Sequence, residues 1–350
     1  EREEQVMKRT NLAKKLTAMA MTGVMVMSMG MTAFAAEADG VKSIDVKKTV
    51  TTDGNTYAPN TTFTFTITEG AAERVNEKTV YAGVEDGLTM SQGITFAPNG
   101  EAETAEEYIQ SGAITVNADK FTTPGIYHYV VSEDTGTYEG ITYDTKTYDL
   151  YVYVENVEGG IKVAGVTASI PEGEGSPEKA TEIAFTNDYG NDMVHSVLIT
   201  KEVTGNQGDK TKEFSFSLSV DGDAGELYKV VHTDQKDGTT VSYLTSDAAA
   251  APYTLKHGES LQIFGLSASD TYTVTETDYS GDGYTTTVND EATNTNNGTT
   301  ANGDVTVAFE NSKNVTTPTG IAMTFAPYVV MVVFAGVFAV MFLRKKREDF

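Results

Sequence analysis

Two sets of three polar residues stand where an alternating strand calls for apolar ones. In "KSIDVKKTV" (42–50) Lys48 is in phase with Ile44, Val46 and Val50. In "IYHYVVSE" (126–133) Glu133 shares its phase with Tyr127, Tyr129 and Val131, and in "IAFTND" (183–188) Asn187 shares its phase with Ile183 and Phe185. The later half repeats the set: Lys201 beside Val197, Ile199 and Val203, Glu276 beside Tyr272 and Val274, Asn311 beside Val305, Val307 and Phe309. Alternate residues of a strand face one side, so all six are aimed at a core. Burial drives a lysine toward its neutral amine, which is a nucleophile. A buried carboxyl with a raised pKa donates a proton and then takes one from an attacking nitrogen. An asparagine amide is a poor electrophile until its carbonyl is polarised. Held together by the fold, the three can exchange ammonia for the lysine amine and form a Lys–Asn isopeptide bond. That reaction needs no cofactor and runs once per site, so it predicts no turnover enzyme. A polar residue where a strand leaves its core costs little, which accounts for Asn187 or Glu133 taken singly. It accounts less well for Lys48, because Val50 continues the apolar phase, and it does not predict the same three types in the same order twice. Lys47, the nearest rival, points to solvent by its phase.

The elements that must hold these residues read as all-β. Short runs such as "TFTFTIT" (62–68), "YDLYVYVE" (148–155), "EFSFSLSV" (213–220) and "VTVAFEN" (305–311) are rich in Thr, Val, Tyr and Phe and are separated by Gly, Asn and Asp turns. This spacing predicts immunoglobulin-like β-sandwiches. Only 102–110 admits a short helical insert. The two halves match in order: "IDVKKTV" with "LITKEV", "TFTFTI" with "EFSFSL", "YHYVVSED" with "TYTVTETD", "IAFTND" with "VAFENS". The expectation is two tandem domains, 37–190 and 191–315, with a short linker near 190–193.

The ends carry processing signals. Basic Lys8, Arg9, Lys14 and Lys15, an apolar run from Leu16 to about Met31, and Ala33-Phe34-Ala35 describe an export signal over 1–35. Met7 fits the initiator, and cleavage falls between Ala35 and Ala36. At the other end, 316–350, Pro318-Thr319-Gly320 precedes an uncharged span, 321–343, long enough to cross a bilayer, and the basic tail Arg344–Arg347 that places this end in the cytoplasm. Residues outside 36–319 hold nine of the 25 basic and five of the 50 acidic residues, which leaves a net charge of −29 between them. Such a charge excludes nucleic acid and anionic membrane as partners. There is no cysteine, so an exported chain needs reinforcement other than disulfides. "DGDAGE" (221–226) lacks the spacing of a calcium loop and reads as a turn. No metal-ligand cluster or Ser/His/Asp set is legible, and the sequence calls for no metal.

The order P-T-G, apolar span and short basic tail resembles the cell-wall sorting signal of Gram-positive surface proteins. With "PNTTFTFTI" (59–67), "PGIYHYVVSE" (124–133), "TKEVTGNQGDKTKEFSFSL" (200–218), "YTVTETDY" (272–279) and "PTGIAMTFAPY" (318–328), the chain from residue 40 onward resembles backbone (major) pilins of the streptococcal T-antigen type. The resemblance implies crosslinks Lys48–Asn187, assisted by Glu133, and Lys201–Asn311, assisted by Glu276. It also implies sortase cleavage between Thr319 and Gly320, with transfer of the Thr319 carbonyl to a lysine of the next subunit. Lys179 is the nearest match to that lysine, although the family's spacing is not kept, and Lys162 is the fallback. The implied partners are a sortase, identical subunits, minor pilins and peptidoglycan, with a host surface as a further contact. The implied place is the wall or pilus of a Gram-positive bacterium. The alternative is a monomeric wall-anchored adhesin using the same domains as a stalk. It calls for an extra binding domain or insertion, and none is evident.

Overall fold

The computed structural model describes residues 34–35, 40–75, 78–171, 178–190, 193–316, 331–333 and 335. Most of the export signal, Ala36, Pro318, Thr319, Gly320, nearly all of the apolar span and the basic tail therefore lie outside the described residues. Among those described, no helix is long and apolar enough to cross a membrane.

The chain folds into two successive β-sandwiches. In the first, one sheet runs Ile141–Thr142, Ile183–Tyr189, Ser43–Thr51, Glu107–Val116, Leu88–Thr89. The facing sheet is built on Gly125–Glu133, Thr147–Val157 and Gly160–Ile170, with Phe65–Glu69 and Lys78–Ala82 also paired to Gly125–Glu133. Between them pack Ile44, Val46, Val131, Leu150, Val152 and Phe185, all buried. In the second, a six-stranded sheet includes Ser260–Ser267, Val194–Thr204, Val305–Ser312 and Thr285–Val288, in that order. It faces a four-stranded sheet ordered Ala251–Leu255, Phe214–Asp221, Thr271–Glu276, Thr295–Thr299. Val197, Ile199, Leu218, Val274 and Val307 fill the second core. Alternating inward residues on both sheets account for each core, as a sandwich requires.

The feature that positions the site is a parallel pair. In each sandwich the first long strand lies beside the last and runs the same way. Val46 pairs with Ile183, Lys48 with Phe185 and Val50 with Asn187. In the second copy Lys201 pairs with Phe309 and Val203 with Asn311. We call these the lysine strands (Ser43–Thr51, Val194–Thr204) and the asparagine strands (Ile183–Tyr189, Val305–Ser312). Gly125–Glu133 and Thr271–Glu276 are the glutamate strands.

The short helical insert that the sequence admits at 102–110 does not form. Residues 107–116 form a strand instead, antiparallel to the lysine strand, with Tyr108 opposite Val50 and Gln110 opposite Lys48. The lysine strand would otherwise leave a row of backbone groups unpaired on that side, and local helix preference does not compete with a full ladder.

The sandwiches meet end to end. Tyr189, at the end of the first asparagine strand, donates its hydroxyl to Glu226 Oε1 at 2.6 Å, and Tyr228 donates to Oε2 at 2.7 Å. Tyr138 packs edge-on against the Tyr189 ring. Around this buried centre, Lys229 Nζ donates to Asn55 Oδ1 (3.0 Å) and Thr104 Oγ1 (3.1 Å), and Asn60 Nδ2 donates to the Ala224 carbonyl (2.8 Å). "DGDAGE" is a turn, as expected, but its last residue is the carboxylate of this joint.

Candidate functional site

The register places lysine and asparagine within reach of each other. Both point to the same face of adjacent strands, offset by two residues. A rise of about 3.3 Å per residue and a strand spacing of about 4.8 Å put the two Cα atoms about 8 Å apart, a gap that their side chains span. Each glutamate comes from the facing sheet. Glu133 pairs with Phe65 and Glu276 with Phe216, which sets both carboxylates at the same height over their asparagines.

In the first sandwich Lys48 Nζ donates to Glu133 Oε2 at 2.7 Å, and Asn187 Nδ2 donates to Glu133 Oε1 at 2.6 Å. In the second, Lys201 Nζ lies 3.1 Å from Glu276 Oε2 and 3.0 Å from Oε1, and Asn311 Nδ2 donates to Oε1 at 2.7 Å. Lys48, Asn187, Glu276 and Asn311 are 0% exposed and Lys201 is 2% exposed, so water does not screen these contacts. Lys47 faces the other way and is partly exposed.

The surroundings are aromatic. Lys48 Nζ sits 4.6 Å from the centre of the Phe63 ring, and Lys201 Nζ 4.5 Å from that of Phe214. Phe65 packs on Phe185 at 5.2 Å, and Phe216 on Phe309 at 5.1 Å. "TFTFTI" and "EFSFSL" match in the two halves, and alternation alone marks them only as core strands. The repeat itself was the signal: the same two phenylalanines, in phase, roof each site. Burial in this shell lowers the pKa of Lys48, and that of Lys201 to about 8, against the opposing pull of their glutamates. Burial also raises Glu133 and Glu276, against the opposing pull of their lysines. Both shifts favour moving a proton from lysine to glutamate. The result is an amine and a carboxylic acid side by side, the pair that amide exchange needs.

The remaining expected residues are dispersed. Lys179 lies in the three-residue strand Glu178–Ala180, opposite Ser169 at the rim of the first sandwich. Lys162 has a quarter-exposed side chain 3.6 Å from Glu155, and its stem covers Gly40. Ala35 pairs with Gly165.

Residues 44–190 match a family described as a Spy0128-like isopeptide-containing domain, and residues 195–313 match a domain of unknown function. A curated pilin of Streptococcus pyogenes serotype M1 is 30% identical over 352 aligned positions, which cover 95% of this chain and 99% of the relative. A pilus tip adhesin of Streptococcus pyogenes is 36% identical over 131 residues, 37% of this chain but 18% of the adhesin. Among solved structures, the major pilin of Streptococcus pyogenes superposes with a TM-score of 0.57 at 25% identity, over 78% of this chain and 99% of that one. The T3.2 major pilin of that species gives the same TM-score and identity. With two tandem sandwiches, a match along nearly its whole length and major pilins as its structural neighbours, the chain belongs to the streptococcal-type backbone pilins and is a structural subunit of a pilus.

Proposed function

We propose that each sandwich closes its own Lys–Asn isopeptide bond, Lys48–Asn187 under Glu133 and Lys201–Asn311 under Glu276, and that the subunits are then joined covalently by a sortase. The observation that carries the first part is the duplicated constellation: two buried Lys–Glu–Asn sets at the same parallel register under the same pair of phenylalanines. The lysine passes a proton to the glutamate oxygen it touches. The amine attacks the asparagine Cγ, the glutamate gives that proton to Nδ2 and takes the surplus proton from the attacking nitrogen, and the Cγ–Nδ2 bond breaks as ammonia departs. One carboxyl touches both the attacking and the leaving nitrogen, so it serves both transfers. The glutamates act once, and the chain turns over no substrate.

For assembly, the precursor is exported by residues 1–35, divided into domains 37–190 and 191–315, and processed at 316–350. A sortase cuts between Thr319 and Gly320 and transfers the Thr319 carbonyl to Lys179 of the next subunit, or to Lys162. The last transfer, to peptidoglycan, fixes the fibre and its minor subunits in the cell wall. Intact mass of the recombinant mature chain tests the crosslinks: it should fall short of the sequence mass by two ammonia molecules, and full mass would refute both bonds. A Lys179→Ala strain should lose its ladder of high-mass polymer. A ladder that persists moves the role to Lys162.

A further inference from the structure

The two sites differ at the asparagine carbonyl oxygen. In the first, the Asn187 carbonyl oxygen Oδ1 accepts a hydrogen bond from the backbone N–H of Asp144 at 2.8 Å. In the second, Asn311 Oδ1 is buried and has no hydrogen-bond partner among the described residues. The difference follows from the neighbouring strand. Beside the second asparagine strand, Thr285–Val288 stays in the ladder, with Thr286 opposite Asn311 and Val288 opposite Phe309. Beside the first, the strand stops after Ile141 and Thr142, opposite Tyr189 and Asp188. The chain then turns away, and Asp144 takes over the vacated position. Its carboxylate accepts from the Thr186 N–H at 2.8 Å and from the Lys146 N–H at 2.9 Å. Burial alone would raise the Asp144 pKa, but these N–H groups and the Lys146 ammonium outweigh it and hold the carboxyl below its usual range. The residue is thus tied, as an anion, to the position just before Asn187, with its own N–H on the reacting amide.

Oδ1 is the atom that gains charge when the lysine attacks Cγ. A donor already at 2.8 Å from it binds the oxyanion more strongly than the carbonyl, and so lowers the barrier. We propose that the Asp144 N–H is the oxyanion donor of the first site, positioned by the Asp144 carboxylate, and that the second site works without one, so that Lys48–Asn187 closes faster than Lys201–Asn311. The inference rests on the crosslink reading above. The bond that forms is Lys48 Nζ–Asn187 Cγ and the bond that breaks is Asn187 Cγ–Nδ2. The amine proton leaves with Nδ2 as ammonia, and Asp144 gives up no proton.

The test follows both crosslinked peptides by mass spectrometry in digests of full-length chain, pulse-labelled in cell-free translation and quenched at intervals. Loss of one oxyanion donor typically costs about 10²–10³-fold in rate. The Lys48–Asn187 peptide should therefore appear about 10²-fold faster than the Lys201–Asn311 peptide, the lower end of that range. Asp144→Ala should slow the first closure by a comparable factor and leave the second, an internal clock in the same chain, unchanged. Asp144→Asn, whose side-chain oxygen still accepts one of the two N–H groups, should restore part of the rate. A purely structural role would instead lower the folded fraction, as read by protease resistance, without a delay in chains that have folded. Equal closure rates in the parent, or an Asp144→Ala chain that closes at the parental rate, overturn the proposal. Failure of both crosslinked peptides to appear would instead overturn the crosslink reading itself.

Discussion

At the scale of single residues, the glutamate decides the outcome of the proposed reaction, because among the described residues it hydrogen-bonds both the lysine and the asparagine nitrogen. Glu133→Gln keeps the shape but cannot ferry the proton. The chain should then lose one ammonia instead of two by intact mass. Forfeiting a crosslink around a loop of this size costs about 4–5 kcal/mol of stability by the chain-entropy estimate. The adjacent lysines give a second readout. An amine-reactive label should modify Lys47, which is partly exposed, and leave Lys48 untouched even after denaturation. Label on denatured Lys48 would show a free amine and an open site. The three reacting types were legible because each breaks a period-two pattern and each recurs. Asp144 was not, because its proposed contribution is a backbone N–H, which every residue but proline carries and no side-chain pattern marks. Its contact with Asn187 also spans 43 residues of chain.

At the scale of elements, the sites depend on register. A one-residue slip of an asparagine strand would turn its amide out to solvent and bring an outward residue in. Alternation along single strands was readable; the pairing of first with last strand, and their parallel direction, was not, since neither leaves a local mark. The short helix admitted at 102–110 does not form for a related reason: the backbone needs of the distant strand Ser43–Thr51 decide that segment. The phenylalanine roof is the element-level control on chemistry. Phe214→Ala should cost about 3–5 kcal/mol as a buried large-to-small change. It would also admit water to Lys201, whose pKa would climb from about 8 toward its ordinary value. More of the lysine would then be an ammonium at neutral pH, so crosslinked peptide from the second site should accumulate more slowly there. Raising the pH to about 9, nearer the ordinary lysine pKa, should recover part of the rate. A variant that closes at the parental rate at neutral pH would show that the roof only packs.

At the scale of the whole molecule, the joint between sandwiches carries the clearest pH dependence. Burial, then the nearby Asp270 charge, raises Glu226 to about 7, and the group lies among Tyr189, Tyr228, Tyr138 and Asp223. A carboxyl with a raised folded pKa binds more protons folded than unfolded. Its contribution is therefore complete below the unfolded value, near 4.5, and is lost as pH rises through about 7. Thermal melts between those values should fall as pH rises, by at most about 3 kcal/mol at the pKa-shift conversion. Glu226→Gln should flatten that slope; an unchanged slope would assign it to other groups. The sequence hid this joint inside a turn motif, because one of the two tyrosines that hold the Glu226 carboxylate stands 37 residues away in the other sandwich.

The parallel pairing of first and last strands has a further consequence. Lys48 and Asn187 both lie near the C-terminal ends of their strands, as do Lys201 and Asn311. With the proposed bonds closed, residues 48–187 and 201–311 each form a covalent ring; the path between subunits enters the first ring at Lys179 or Lys162, leaves it at 187, continues to 201 and leaves the second ring at 311. A single protease cut within either ring leaves the other arm of that ring to carry the path. The nicked chain should run as a single species under denaturing conditions, and the fibre should keep its length. Because the next subunit is joined at Lys179 or Lys162, only a cut between 188 and 200, or between 312 and 319, would part the fibre. The fibre thus tolerates damage over most of its surface, and its vulnerable stretch between the sandwiches is the one that the Tyr189–Glu226 contact holds closed.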